Sequence, residues 1–374
     1  MYLAMTRVRP ILRSFLFALA LAVPAAAQVS TTPTFPSEEW ETVQRSDLGV
    51  YGWNSDKLRT TFEFLRDSAN TTGLVVVDRG RVVFTYGDVE ELSYLASCRK
   101  SVLAMLYGTW VDNGTIDLEK TLADLGLDDV GGLLPIEKKA RILDLITARS
   151  GVYHAASNSG DDLASAPERG SQEPGTYMLY NNWDFNAAGA VFEQLTGRSI
   201  YDELQAQLAT PLQFQDWDRS AQHKTGDPSR SVNLAYHMWL STRDMARIGW
   251  LMLNDGAWNG RQVIDADWAR RIHSVVTPLE EMHPLSRRDG YFGYGYMWWV
   301  WDGPRAVGPF EGAYTARGAV GQWITVLPAV DMVIAHKTNS AYRRTTSWHS
   351  WERMIELLFD AHGVTLPGPY PWAG

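Results

Sequence analysis

With 374 residues, 45% of them hydrophobic and 21% charged, the chain has the makeup of a folded protein, not a disordered or fibrous one, and room for one large domain or two lobes sharing a core. A formal charge of -9 with no stripe of Lys and Arg excludes a phosphate-backbone binder, so no nucleic acid is expected as partner. A single cysteine, Cys98, cannot form an internal disulfide, so the fold must stand on its apolar core.

In chain order, Arg7, Arg9 and Arg13 precede an apolar run at 15–23 and the small residues Pro24-Ala25-Ala26-Ala27, which predicts a bacterial-type signal peptide over 1–27 and a periplasmic or secreted mature chain starting at Gln28. A membrane anchor is the competing reading, but the run falls short of the roughly 20 residues a bilayer core needs. No later stretch is long and apolar enough, so no integral span is expected in the mature chain. Residues 28–48, rich in Thr, Pro and Ser, read as an extended lead-in, and 56–69 as an amphipathic helix capped by Ser55 or Asp56. A hairpin follows, with strands at 73–77 and 81–86 about the turn Asp78-Arg79-Gly80.

From Ser97 to about Asn113 the spacing is helical, and 114–225 reads as mostly helical segments broken by Gly, Pro and Asp. Strand signals return at 295–301, 322–327 and 332–337, before a closing helix over 347–362. This order predicts an α/β protein of the α+β type: an antiparallel sheet flanked by helices (49–107 and 226–374) with an inserted all-helical lobe (108–225), the whole a single domain over 49–374.

Two local patterns carry chemistry. In Ser97-Cys98-Arg99-Lys100, at the head of the helix, residues three apart share a face, which puts the Lys100 amine in reach of the Ser97 hydroxyl. A serine hydroxyl needs a base to become a nucleophile, and a lysine serves once burial or neighbours lower its pKa. The helix start adds free N–H groups that favour developing negative charge. The second pattern is Tyr180-Asn181-Asn182, before a segment of helical spacing: the Tyr180 phenol can relay a proton, and the Asn182 amide can bond both an amine and a carbonyl.

Together, in this order and spacing, the two patterns resemble the first two signatures of the serine β-lactamase and penicillin-binding protein superfamily, and most closely its class C β-lactamase-like branch, which includes esterases, D-amino-acid peptidases and 6-aminohexanoate-dimer hydrolases. The resemblance spans nearly the whole mature chain, including 145–151, 240–249, 292–299 and 318–328. It implies a nucleophile at Ser97, proton carriers at Lys100 and Tyr180, and an orienting amide at Asn182. The family's third signature, Lys-Thr-Gly or His-x-Gly on a strand, occurs literally as Lys224-Thr225-Gly226, in a polar stretch before Asp227-Pro228 that reads as a loop. The better positional match is Ala316-Arg317-Gly318, with Gly321-Gln322 leading into a strand. By that match the N–H groups of Ser97 and Ala319 form the oxyanion hole beside Gly318. Ala316 cannot contact a substrate carboxylate as Lys or His would, and Arg317 supplies charge only if it faces the cleft.

Of the sixteen tryptophans, Trp183, Trp239, Trp298, Trp299 and Trp301 could wall a cleft, although most are expected in the core; Trp183, Trp298 and Gln322 join Arg317 as candidate cleft residues. His154, Asp161 and Asp162 fall where the family carries a loop at the cleft edge. Cys98, one helical step of about 100° from Ser97, is expected to pack inward. The sequence holds no His-Glu-x-x-His, Gly-x-Ser-x-Gly or phosphate loop, and neither metal nor organic cofactor is implied. The expectation is an exported serine hydrolase acting on a small ester, amide or β-lactam through an acyl-Ser97 intermediate. The alternatives are a D-alanyl peptidase or true β-lactamase of the same fold, and a penicillin-binding-like sensor without turnover.

Overall fold

The computed structural model describes residues 33–366, so the expected signal peptide lies outside the described residues. Helix α1 (Ser55–Asp67) is capped by Asn54, whose side-chain oxygen accepts the Asp56 and Lys57 N–H groups at 3.0 Å, and not by Ser55 or Asp56, because the chain turns one residue earlier than expected. Strands β1 (Gly73–Asp78) and β2 (Arg81–Gly87) meet at Arg79 (φ 49°) and Gly80 (φ 83°), two left-handed residues of the kind a tight hairpin needs. Then come β3 (Ser93–Tyr94), α2 (Cys98–Asp112), α3 (Ile142–Ile146), α4 (Asn182–Thr196) and α5 (Ile200–Leu204). The inserted segment is therefore less helical than its sequence suggests: long turns rich in Gly, Asp and Pro link α3 to α4, and the short ribbon of β4 (His223–Thr225) and β5 (Ala235–His237) ends it.

Beyond it lie β6 (Trp239–Leu240), which pairs with β3, then α6 (Thr242–Leu253), the ribbon β7 (Ala257–Trp258) with β8 (Arg261–Gln262), and α7 (Ala266–Ile272). Where a single strand was expected over 295–301, the chain forms two, β9 (Phe292–Tyr294) and β10 (Trp299–Trp301), folded back through a turn in which Met297 takes φ 60°. Strands β11 (Tyr314–Gly318), β12 (Gln322–Leu327) and β13 (Met332–Lys337) and helix α8 (Trp348–His362) close the chain.

The main sheet has the order β2-β1-β13-β12-β11-β10-β9, antiparallel throughout. Every residue of β1, β12 and β13 is buried, which explains their nearly unbroken apolar runs: both faces are covered. Strand alternation sorts the covering. Ile324 and Val333 meet α6 at Gly249, whereas Trp323 and Trp301 on the opposite face pack against Trp351 of α8 with their rings tilted.

Gly249 marks the closest approach of α6 to the sheet: a Cβ there would drive into Val333 and come within 3.0 Å of Ile324. Gly249→Val should therefore lower the free energy of unfolding in urea by about 1–3 kcal/mol through overpacking. Gly49→Ala, at a position with nothing within 4 Å, should change it by less than about 0.5 kcal/mol.

Candidate active site

Ser97 stands at the head of α2, straight after Ala96, whose φ of 51° is a conformation that alanine adopts only under constraint. The constraint is the end of β11. Gly318 lies so near this turn that a Cβ on it would sit 2.8 Å from the Leu95 carbonyl oxygen and 3.1 Å from the Ala96 methyl, which is why glycine is needed there. The turn opening at Ala319 thereby borders Ser97, which stays partly open to solvent.

Helix α2 is buried on all sides from Cys98 to Gly108, so Lys100, one turn after Ser97, is only 1% exposed. Its amine lies 2.6 Å from the Tyr180 hydroxyl and donates to Asn182 Oδ1 at 2.6 Å. It also sits 4.1 Å from the centre of the Tyr180 ring and 4.3 Å from that of Phe185. The Tyr180 phenol that bonds the amine also feels the Ser97 hydroxyl, so it stands as a link between the two.

The partners are themselves held. Asn182 donates from Nδ2 to the Ser159 carbonyl at 2.9 Å, which turns Oδ1 towards Lys100, and its backbone N–H donates to Asp161 at 3.0 Å. Tyr180 is wedged between Phe185 and Trp299, with ring centres 4.9 and 5.2 Å away.

Electrostatics divide the two proton-bearing groups. Burial pushes the Lys100 amine well below the usual lysine range, the Arg99 guanidinium pushes the same way, and Asp161 and Asp162 pull back. Burial raises the Tyr180 phenol to about 12, against hydrogen bonding from Ser97 and the charges of Arg99 and Arg287. The two shifts run in opposite directions: the phenol is held in its protonated form and the amine is biased towards its neutral, proton-accepting form. Cys98 is wholly buried, donates to the Gln322 carbonyl at 3.3 Å, and has its thiol pushed up by burial, as a packing residue should.

Beside this group opens a cleft of about 610 Å³ lined by Arg287, Arg305, Arg317, Phe292, Trp299 and Trp348 among others. Its wall adjoins the Lys100 group at Trp299 and Arg287, which line the cleft and lie against the Tyr180 ring. The alternation of β11 settles the side chain of Arg317: opposite Trp323 in register, it points to the α8 face and into the cleft, held between the rings of Trp348 (4.5 Å), Phe292 (4.8 Å) and Trp299 (5.1 Å). Burial lowers its pKa to about 10, so it is charged at neutral pH. Ala316, where the family has Lys or His, is buried in the sheet.

Three candidate cleft residues lie elsewhere. Trp183 is buried in the core and donates from Nε1 to Asp129 at 2.6 Å; Trp298 is buried edge-on to Tyr314; Gln322 is buried with Nε2 donating to the Thr338 carbonyl at 2.6 Å. In each case the large or polar side chain is consumed by internal packing, and it is Trp299, one residue on, that faces the cleft. His154 is likewise internal, bonded to the Val130 carbonyl at 2.8 Å, and Asp161 serves α4, whereas Asp162 lines the cleft in a paired bond to Arg287. Lys224-Thr225-Gly226 lies outside the main sheet, partly in the exposed strand β4 instead of a plain loop, with Lys224 paired to Glu193. Arg287, Arg305, Tyr291 and Glu352 have no sequence signal: loops and α8 bring them in from a distance. Among the described residues no group of three or more His, Cys, Asp or Glu side chains is placed to hold a metal ion, and no helix is long and apolar enough to cross a membrane.

Known proteins share this architecture. An uncharacterized protein of Alkalihalophilus pseudofirmus is 22% identical over 269 residues, covering 66% of this chain and 73% of its own. A Bacillus anthracis protein described as a 6-aminohexanoate-dimer hydrolase superposes with a TM-score of 0.61 at 21% identity, over 81% of this chain and 82% of its own. A penicillin-binding protein from Bacillus halodurans gives 0.58 at 16% identity, over 81% and 100%. Sequence similarity this low speaks for the fold alone, but a model of the Beta-lactamase family matches residues 58–351, from α1 through the sheet and into α8. The chain therefore belongs to the β-lactamase family.

Proposed function

We propose that the chain is an exported serine hydrolase that passes the acyl group of an ester or amide to water through an ester on Ser97. The observation that carries this reading is the buried Lys100 amine, held by the Tyr180 hydroxyl and the Asn182 amide next to a solvent-accessible serine. In the first step Ser97 Oγ attacks the substrate carbonyl carbon while its proton passes to Tyr180, whose own proton moves to Lys100. The electron pair displaced onto the carbonyl oxygen is held by the N–H groups of Ser97 and Ala319. Collapse of this intermediate breaks the bond to the leaving group, which takes a proton back along the same relay. Water then repeats the sequence on the acyl ester and frees Ser97. The depressed amine and raised phenol support Lys100 as resting base and Tyr180 as relay.

The cleft favours a substrate with a flat apolar group and a carboxylate. The rings of Phe292, Trp299 and Trp348 supply the walls, and Arg317 supplies a guanidinium with no acid partner among the described residues. Without a charged group at Ala316, slow turnover of β-lactams is expected.

Ser97→Ala should abolish fluorophosphonate labelling and cut ester turnover by at least about 10³-fold. Wild-type rates in this variant would end the proposal. Because the base must be neutral, the labelling rate should fall on acidification through the depressed pKa of Lys100, and Lys100→Ala should lose about 10²–10⁴-fold on the alkaline plateau. For a matched pair of aryl esters differing only in a carboxylate, Arg317→Gln should lower kcat/KM about tenfold for the anionic one and leave the neutral one unchanged.

A further inference from the structure

Buried cations in this protein are generally given oxygen partners. Lys337 donates to the carbonyls of Ser93 and Leu240, and Arg247 to those of Ser37, Leu212 and Glu38. Arg99 is the least satisfied of them. It is 1% exposed, yet among the described residues its side chain makes one hydrogen bond, from Nη2 to Asn186 Oδ1 at 3.2 Å, its Nε has no partner, and its guanidinium lies over the face of Tyr236 at 5.0 Å. No carboxylate is paired with it among the described residues. Guanidinium groups keep their proton in proteins, and burying one without a counter-charge is costly, so the position calls for a compensating use.

That use is visible one residue on. We propose that Arg99 is an electrostatic positioning residue, whose uncompensated charge keeps the neighbouring Lys100 amine in its unprotonated, proton-accepting form. The inference rests on the proposed role of Lys100 as base. Among the groups around that amine, Arg99 is the charge that favours its neutral form, and Asp161 and Asp162 oppose it. On the α4 side the amine meets the neutral Tyr180, Asn182 and Phe185. On its own helix it has the neutral Cys98 thiol. The acidic side chains in its field are already engaged: Asp161 accepts the Asn182 and Leu163 N–H groups, and Asp162 is paired with Arg287. Arg99 faces Asn186 of α4 and Tyr236 of β5, both uncharged, and its field also reaches Tyr94, Tyr201 and His237, which burial keeps neutral. The direction agrees with the depression of Lys100, to which Arg99 contributes after burial itself.

The sign follows directly. Without the neighbouring positive charge Lys100 takes up a proton at higher pH, so less of the enzyme holds a free base in mild acid. The test is the rate of fluorophosphonate labelling against pH for Arg99→Gln, Arg99→Lys and Asn186→Asp. The last variant leaves Arg99 in place and sets a carboxylate against it. Arg99→Gln and Asn186→Asp should move the acidic limb to higher pH by about one unit, a tenfold loss of rate on that limb, with the alkaline plateau within about threefold of wild type. Arg99→Lys should keep the wild-type limb. A limb unmoved in both shifting variants, or moved as far by Arg99→Lys as by Arg99→Gln, overturns the proposal. Should Arg99→Gln fail to fold, Asn186→Asp decides alone. Wild-type protein that does not label at Ser97 at all would instead sink the serine-hydrolase reading, a result distinct from labelling with an unmoved limb.

Discussion

The local architecture depends on keeping one amine dry. An ammonium in water is strongly hydrated, and no serine proton would move to it; removed from water and given only neutral partners, the same group becomes a base. Nearly every feature around Lys100 serves that end. Helix α2 is enclosed on all sides from Cys98 to Gly108, Phe185 and Tyr180 cover the amine with ring faces, and its hydrogen-bond partners are a phenol and an amide oxygen, not a carboxylate. A single Asp in the place of Asn182 would restore the ammonium by pairing with it.

That requirement explains why two lobes are needed. A serine and lysine one turn apart are a property of any helix, but the dry lid over the lysine has to come from elsewhere in the chain. Here it comes with the loop and first turn of α4, whose direction is set by Asn181, bonded to the Val152 carbonyl at 2.6 Å, and by Asp161 at the Asn182 N–H. The sheet contributes the third side. Only a glycine at 318 lets β11 press against the Leu95–Ala96 turn, and the strained φ of Ala96 is the local cost of aiming Ser97 at the junction.

How much of this could be read from residues alone follows the range of the interactions. The Ser97–Lys100 and Tyr180–Asn182 patterns were legible because each is local, fixed by helical spacing or by adjacency. Strands β12 and β13 were legible because burial on both faces leaves an apolar run, bounded in each case as expected. The hairpin of β9 and β10 was not, since its turn is built from aromatic and apolar residues that mimic a continuous strand. Trp183 and Trp298 show the same limit from the side of function: an indole suits a cleft wall and a core equally, and only the tertiary neighbours decide. The cap at Asn54 eluded a rule that gives Asn, Asp and Ser nearly equal standing.

Arg317 joins these strands of argument. On its own it is a residue of unknown facing, because strand alternation gives two choices and no way to choose. Once β11 is paired with β12, the position opposite Trp323 is bound to the α8 face, and Trp348, Phe292 and Trp299 close on the guanidinium. Ala316 carries no charge, and Arg317 beside it presents one on the other face of the strand. On the proposed reading, a positive group so placed would meet the substrate from the α8 side. It can orient a distant carboxylate without adding to the field at the amine. On the proposed reading, recognition falls to Arg317 on the strand and proton transfer to Lys100 on α2, and Arg99 acts on the second.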